Sequence, residues 1–382
     1  MNPNGLLEYY QSKNLEIQKS IKEIVEIESP SFGEEGSRRV VDWIEARFNQ
    51  ISKTDFRIEK LFAEGFGEHL IVRHFADEKG VKPIFILGHT DTVHPLGSKE
   101  KNPTRVENGR LYGCGTFDMK ANIALLIEVF RALQYFGMKP KRPVTILLSC
   151  DEEVGSSTGR PLVEREAKKA ELCLIFEPSA EGRVKTGRKG TGMYTLKTHG
   201  IPSHAGLDPE KGASAILEIS RQIEKLHSLN APEKGTTVNV CTIKGGTASN
   251  VIPENASCEI DVRFSSVEEA QRIEKELREL KPFDQRVKLE LIGEINRPPL
   301  ERTERVVGLF ERAKDLAASF GYELGETQVG GASDGNFVGA LGVPVLDGLG
   351  IAGNGAHTLK EYVLIEDITR RATLLTLLLT EL

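Results

Sequence analysis

The chain has 382 residues, 39% hydrophobic and 28% charged, a composition typical of a folded protein of two or three domains. The net charge of −6 and the lack of a long basic run argue against nucleic acid as a partner. Apolar stretches stay shorter than the ~20 residues of a membrane span, and no signal peptide pattern opens the chain. The five cysteines lack CxxC spacing, so we expect reduced thiols in a cytoplasmic protein that does not bind membranes.

The first part of the chain alternates helices and strands. Apolar spacing predicts two helices and then three strands, over 7–27, 36–49, 57–62, 69–74 and 84–89. The last of these strands is apolar throughout, as a buried strand would be, and it ends on His89. Asp91 follows two residues later and could hold the second imidazole nitrogen, as carboxylates do for metal-ligating histidines. His89 is therefore a candidate metal ligand.

A glycine-rich loop over 113–118 ends on Asp118, and helical apolar spacing follows from Ile123. Asp118 thus lies at or near the N-terminus of a helix. Aspartate also favours the N-cap, so this residue has a structural explanation beside the role of a ligand. The loop lacks the third glycine of a dinucleotide-binding fingerprint, which argues against that function.

Two further apolar strands, predicted over 144–150 and 172–176, also end in acidic residues. The first is followed by Glu152 and Glu153, and the second by Glu177. Open α/β sheets bind ligands at the carboxyl ends of their strands. Neighbouring carboxylates at such an edge are tolerated when a cation lies among them. We therefore expect a cation at this edge.

The pattern changes near residue 188. The order strand, helix, strand, strand, helix, strand is predicted over 190–199, 212–228, 236–244, 256–264, 267–280 and 287–292. This order is ferredoxin-like, and its span of about 110 residues suits one inserted domain.

After residue 297 the chain is predicted to return to the first domain. A helix over 303–320, a strand over 343–349 and a helix over 365–381 follow in turn. The expected fold is α/β, with a mixed sheet flanked by helices and an inserted α+β domain. The predicted domains are 1–188 and 298–382 for the catalytic part and 189–297 for the insert.

Five candidate ligands come from distant parts of the chain: His89, Asp118, Glu153, Glu177 and His357. Nitrogen and oxygen ligands without cysteine suit zinc, with cobalt or manganese as substitutes. Five ligands exceed what one open catalytic zinc takes, and they fit two Zn²⁺ per chain, ~3.5–4 Å apart and bridged by one carboxylate. Glu152, next to a ligand, is the natural general base for a water between the ions.

A set of short motifs is spread over residues 15–380: Gly-His-Thr-Asp-Thr-Val (88–93), Gly-Cys-Gly-Thr-Phe-Asp-Met-Lys (113–120), Asp-Glu-Glu-Val-Gly-Ser (151–156), Phe-Glu-Pro-Ser (176–179), Ser-His-Ala-Gly (203–206), Ser-Asn-Val-Ile-Pro (249–253), Asp-Val-Arg-Phe (261–264) and Gly-Asn-Gly-Ala-His (353–357). Through them the chain resembles the zinc-dependent metallopeptidase and amidohydrolase family of aminoacylase, carnosinase, succinyl-diaminopimelate desuccinylase and bacterial glutamate carboxypeptidase. The resemblance implies an aminopeptidase-like, phosphorylase/hydrolase-like catalytic domain.

The resemblance also implies how the ligands are shared. His89 and Glu177 would hold one zinc, and Glu153 and His357 the other. Asp118 would bridge both ions.

Further roles follow from the same resemblance. The bridging aspartate is expected to form a cis peptide with Met119. Asp91 would orient His89, and Glu152 would be the base in the attack of metal-bound hydroxide on an amide carbonyl.

The insert is similar to the family's lid, which also forms a homodimer. The resemblance implies that His204 stabilises the oxyanion and that Arg263 clamps a terminal carboxylate. Asn250, Gly330 and Gly331 would line the same pocket. From composition alone, His204 is equally well explained as a surface histidine, Arg263 as a solvent-facing arginine and Asn250 as a turn former.

The resemblance is closest to the glutamate carboxypeptidase branch. It predicts a small-molecule amide or peptide substrate and release of a C-terminal amino acid, with glutamate as one candidate. Lys185, Arg188 and Lys189 could read a glutamate side chain, although a solvated basic turn explains them equally well. Alternatives are an aminoacylase or dipeptidase of the same fold, and a non-catalytic dimeric binding module. A two-metal phosphoesterase is a third, but no phosphate-binding loop is present.

Overall fold

The computed structural model describes residues 2–75 and 80–382, and the chain forms two compact units. The first unit comprises Met1–Gly187, Arg302–Gln328 and Phe337–Leu382, and the second comprises Arg188–Glu301 and Val329–Asn336. The loop 329–336 thus belongs to the second unit, although the sequence analysis placed it in the catalytic part. The predicted domains and the lid role of the insert stay predictions.

A six-stranded mixed sheet lies in the first unit. In spatial order its strands are Phe56–Ala63, Gly67–His74, Val144–Ser149, Ile84–His89, Leu172–Ile175 and Val345–Leu346. The last four strands are parallel to one another, whereas Gly67–His74 pairs antiparallel with both of its neighbours. The three strands next to His89 are buried at every position, as their continuous apolar sequences predict.

Helices of the first unit pack around this sheet: Pro3–Val25, Glu34–Ile51, Ala121–Tyr135, Arg160–Ala167, Glu304–Ala318 and Ile365–Glu381, with the short Ser98–Lys101. Gly335–Ala340 is a further short helix. The last long helix buries Leu374, Leu375 and Leu378 in the core, because these positions share one helix face. The predicted mixed sheet flanked by helices is confirmed.

The structure also contains short strands that the sequence did not predict. Four of them form an antiparallel sheet in the order Gly353–Asn354, Tyr362–Leu364, Arg110–Tyr112 and Arg105–Glu107. This sheet joins the segment before Asp118 to the segment around His357, with Leu111 opposite Val363. Another strand, Val184–Arg188, pairs with Glu326–Val329. Its side chains are buried, so a solvated basic turn at Lys185 and Arg188 is wrong.

The second unit is a four-stranded antiparallel sheet with two helices. In spatial order the strands are Thr237–Gly245, Asn255–Phe264, Gly190–His199 and Lys288–Arg297, and the helices are Ala215–His227 and Val267–Arg278. Gly190–His199 and Asn255–Phe264 come first and third among the strands of this sheet in the sequence, and they lie at its centre. This order confirms the ferredoxin-like fold. Ser214 and Ser266 cap the two helices through their hydroxyl oxygens. Ser203–His204 forms a short ladder with Val251–Ile252.

Candidate metal centre

The parallel strands bring four candidate side chains to one sheet edge. His89 ends its strand, and the two neighbouring parallel strands end just before Glu152, Glu153 and Glu177. A carboxylate oxygen of Glu152 and one of Glu177 lie within 4.8 Å of an imidazole nitrogen of His89. The edge is the carboxyl-terminal one at which α/β sheets bind ligands.

Asp118 lies between the two histidines that are predicted to be metal ligands. His89 Nε2 is 3.1 Å from Asp118 Oδ1, and His357 Nε2 is 3.4 Å from Asp118 Oδ2. Each imidazole also faces a glutamate: His89 Nε2 is 3.5 Å from Glu177 Oε1, and His357 Nε2 is 3.1 Å from Glu153 Oε2. The structure thus brings together all five side chains that the sequence put forward as ligands.

Asp91 connects His89 to the acidic loop. The Nδ1 atom of His89 lies 3.4 Å from Asp91 Oδ1 and 3.0 Å from the Asp91 carbonyl oxygen. The backbone amides of Glu152 and Glu153 donate to the two carboxylate oxygens of Asp91, each at 3.2 Å. Ser31 Oγ donates to the same carboxylate at 2.8 Å. Asp91 is therefore placed to orient both the imidazole and the loop.

The peptide bond between Asp118 and Met119 is cis, as the family resemblance led us to expect. The Met119 side chain lies against the strand that carries His89, and its Sδ accepts from the His89 amide at 3.3 Å. A Cβ atom at Gly88 would come within 2.4 Å of Met119 Cε. A larger residue at this position would have to displace the end of the Met119 side chain.

Glu361 lies next to the candidate ligands and was missed by sequence reasoning. Its buried carboxylate accepts from the backbone amides of Gly115, Phe117 and Asp118, at 2.7, 2.8 and 2.8 Å. His94 Nε2 lies 2.7 Å from the same carboxylate. The only sequence signal was an acidic residue four positions after His357, and it does not show that Glu361 contacts a loop more than 240 residues earlier in the chain.

Asn122 is a second missed residue, on the helix that follows Asp118. Its amide donates to the carbonyl of Phe176 at 2.8 Å and accepts from the amide of Ile351 at 2.9 Å. The segment carrying Glu177 and the loop leading to His357 are therefore fixed to one buried side chain.

The charges of the group favour a cation. Burial alone would lower the pKa of His89, but Asp118, Asp91 and Glu177 raise this pKa well above 6.5. The carboxylates of Asp118 and Glu153 raise the pKa of His357 to about 10. Despite burial, the two histidines lower the pKa of Asp118. The carboxylates therefore create a potential that retains positive charge at neutral pH.

The donor atoms also fit a metal. Glu153 Oε1 is buried and makes no hydrogen bond with any residue in 2–75 or 80–382. A buried carboxylate oxygen without a donor is costly, and coordination to a cation would remove this cost. Imidazole nitrogens and carboxylate oxygens, without thiolates, are the ligands of catalytic zinc sites.

The predicted lid residues lie in the second unit. His204 is exposed, and its Nδ1 accepts from the amides of Gly206 and Leu207 at 3.1 and 3.2 Å, so the proton is on Nε2. Arg263 is paired with Asp261 on its own strand, with Nη2 2.7 Å from Oδ2. A substrate carboxylate at Arg263 would therefore compete with Asp261.

Asn250, Gly330 and Gly331 are also exposed residues of the second unit. Arg188 Nη1 donates to the Gly331 carbonyl at 3.2 Å and thereby holds the glycine loop. The substrate-binding roles of these residues stay predictions.

The fold is α/β, and two histidines and several carboxylates meet beside one edge of its mixed sheet. This arrangement is typical of metal-dependent hydrolases. The chain belongs to Peptidase family M20/M25/M40, whose family model matches residues 85–381. The family resemblance is thus confirmed, and the chain is a hydrolase of peptide or amide bonds.

Individual relatives agree with this assignment. Carboxypeptidase G2 of Pseudomonas sp. (strain RS-16) is 30% identical over 359 residues, covering 92% of this chain and 86% of the relative. Succinyl-diaminopimelate desuccinylase of Verminephrobacter eiseniae is 29% identical over 334 residues, covering 82% of this chain and 81% of the relative. The crystal structure of aminopeptidase PepT from Bacillus cereus superposes with a TM-score of 0.77 at 21% identity, covering 96% and 98% of the two chains, and supports the fold. No helix in 2–75 or 80–382 is long and apolar enough to cross a membrane.

Proposed function

We propose that the protein is a two-zinc hydrolase that releases a C-terminal amino acid from an N-acyl or peptidyl substrate. The position of Asp118 carries the proposal. Its two carboxylate oxygens face different histidines, at 3.1 and 3.4 Å, and each histidine faces one further glutamate. Such a symmetric set of donors is what two cations sharing one bridging carboxylate require.

In this proposal His89 and Glu177 hold one zinc, Glu153 and His357 hold the second, and Asp118 touches both. Cobalt or manganese could replace zinc in the same ligands. Bound zinc would supply Lewis acidity, which lowers the pKa of a water molecule and polarises the amide carbonyl.

Glu152 is the proposed general base. Its carboxylate lies beside the ligand group, while its backbone amide is fixed to Asp91. A carboxylate oxygen of Glu152 would take the proton of the attacking water and pass it to the leaving amine nitrogen. In the second unit, Nε2–H of His204 would donate to the oxyanion, and Arg263 would bind the terminal carboxylate of the substrate.

Glutamate is the amino acid we propose to test first, because the sequence motifs resemble the glutamate carboxypeptidase branch of the family. Lys185 and Arg188 carry buried basic side chains, and in this proposal one of them would bind the second carboxylate. A homodimer formed through the second unit and a cytoplasmic location belong to the same proposal.

The test is amino-acid release from a panel of N-acyl amino acids and dipeptides, with metal-stripped protein before and after zinc is restored. Glu152→Gln should lower kcat by about 10²–10⁴-fold and leave metal binding unchanged. Glu64→Gln, which neutralises an exposed glutamate, is the matched control. The best substrate distinguishes a glutamate carboxypeptidase from an aminoacylase or a dipeptidase. Zinc-loaded protein that releases no amino acid from any substrate would contradict the proposal.

A further inference from the structure

Glu361 lies outside the proposed ligand set, yet it contacts the segment that carries Asp118. We propose that Glu361 is a positioning residue, which fixes the backbone of residues 115–118 and thereby aims the carboxylate of Asp118 at both metal positions. This inference rests on the proposed two-metal function, and it adds a residue that touches neither substrate nor ligand side chains.

Both oxygens of Glu361 are used. Oε1 accepts from the amides of Phe117 and Asp118, each at 2.8 Å, while Oε2 accepts from the amide of Gly115 at 2.7 Å. Oε2 also lies 2.7 Å from His94 Nε2. A carboxylate has lone pairs for four donors, and here four donors surround one that is 0% exposed.

The loop needs such an acceptor because its backbone is irregular. Gly115 has a φ of 72°, and the segment departs from helical angles at Asp118 and Met119. The first amides of a helical segment have no carbonyl partner within it, and those of Gly115, Phe117 and Asp118 converge on Glu361. The side chain therefore supplies the acceptors that the start of this segment lacks.

The position of Asp118 makes this support functional. Its carboxylate must direct Oδ1 at His89 and Oδ2 at His357 together, so a small rotation would lengthen one of these contacts. The amide of Asp118 itself is one of the three that Glu361 holds. Fixing this backbone fixes the direction from which the bridging carboxylate projects.

A glutamine could not replace this carboxylate. Its single oxygen could keep the amides of Phe117 and Asp118, but its NH₂ group would then face the amide of Gly115. Two donors would meet without an acceptor, in a site closed to water. Glu361→Gln therefore changes the positioning of the loop with almost no change in side-chain volume.

The experiment compares wild type, Glu361→Gln and the control Glu366→Gln, which removes a nearby exposed carboxylate. Cobalt titration gives the metal affinity, visible absorption of the cobalt protein reports ligand geometry, and hydrogen exchange of metal-free protein reports the loop amides. For Glu361→Gln we expect affinity and kcat to fall about 10–100-fold, with KM unchanged within about twofold. We also expect an altered cobalt spectrum and faster exchange at residues 115, 117 and 118.

Wild-type affinity, spectrum and exchange in Glu361→Gln would overturn the inference, as would equal losses in Glu366→Gln. If Glu361→Gln does not fold, His94→Gln decides the question, because it removes one of the four donors around Glu361. A change in the cobalt spectrum and a loss of cobalt affinity relative to wild type support the inference. Wild-type values for both overturn it. The spectra also separate this inference from the proposed function. Wild-type protein that binds cobalt but hydrolyses no substrate would refute the proposed substrate class. A comparison of its cobalt spectrum with that of Glu361→Gln would still test the role of Glu361.

Discussion

The two histidines of the metal centre have similar partners but different surroundings. His89 ends a central strand, is 1% exposed and is held by Asp91 through its second nitrogen. His357 lies on a loop, has a left-handed φ of 64° and is 54% exposed. Both face Asp118 and one glutamate. One half of the centre is therefore fixed by the core of the first unit, and the other half is open to solvent.

In the proposed two-metal site, this difference predicts unequal metal positions. A ligand with a fixed rotamer loses little freedom when an ion binds, whereas an exposed loop residue must be ordered at that moment. We expect the ion at His89 and Glu177 to bind more tightly and to exchange more slowly than the ion at His357 and Glu153.

The largest effect should come from Asp118→Asn, because this change affects both halves at once. Loss of a hydrogen bond that supports a metal ligand lowers activity by up to about 100-fold. Loss of the shared carboxylate itself should lower kcat by more than this. Kinetics at saturating zinc and metal content after dialysis would measure it. Two tightly bound ions in the variant would show that Asp118 is not the shared ligand.

Removing either histidine tests the inequality directly. His357→Ala should retain one tightly bound ion per chain. His89→Ala should hold its remaining ion only weakly, because the buried carboxylates lose the imidazole that lies between them. Metal analysis after dialysis against a graded series of chelator concentrations would compare the variants. The reverse order of retention would contradict the assignment of the tighter position.

Asp91→Asn should have a smaller effect, expressed mainly at the ion held by His89, although the asparagine also loses one acceptor for the amides of Glu152 and Glu153. The asparagine keeps one oxygen but loses the charge beside His89 Nδ1, so we expect a loss of about 10–100-fold in the affinity of the tighter ion. Stepwise zinc titration would measure this loss, and an unchanged first step would show that Asp91 does not tune the histidine.

The smallest effect concerns pH and the exposed half. The carboxylates raise the pKa of His357 to about 10 in metal-free protein, above its unfolded value near 6.5. The resulting stability is complete below pH 6.5 and is lost as the pH rises towards 10. Solvent screening limits it to about 1 kcal/mol, or about 1–2 °C in a chain of 382 residues. Melting of metal-free wild type and His357→Gln at pH 6 and 9 would test it, and parallel shifts in both would contradict it.

The same contrast explains what the sequence could predict. His89 ends an apolar strand, Glu153 and Glu177 follow two others, and the ends of these strands can be inferred from local patterns. The family resemblance located His357, which follows no strong strand. The strand expected over 343–349 is only Val345–Leu346, since pairing with the neighbouring strand stops after two residues.

Residues that act through long-range contacts gave no local signal. Glu361 is one acid among many in the sequence, and its importance depends on three amides in a loop formed much earlier in the chain. Asn122 looks like an ordinary helix residue until its two backbone partners are known. Burial of Lys185 and Arg188 depends on a short strand without a periodic pattern.

The course of the chain has a practical consequence for dissecting this enzyme. The second unit takes 188–301 as one continuous piece, but its last part, 329–336, arrives only after the chain has returned to the first unit. Within the second unit, Arg297 pairs with Asp334 at 2.9 Å, and Asn336 donates to the carbonyls of Lys189 and Pro298. A fragment ending at Glu301 would leave these contacts unmade, so a chain in which a short linker replaces 302–328 and joins both segments is the better route to an independent second unit.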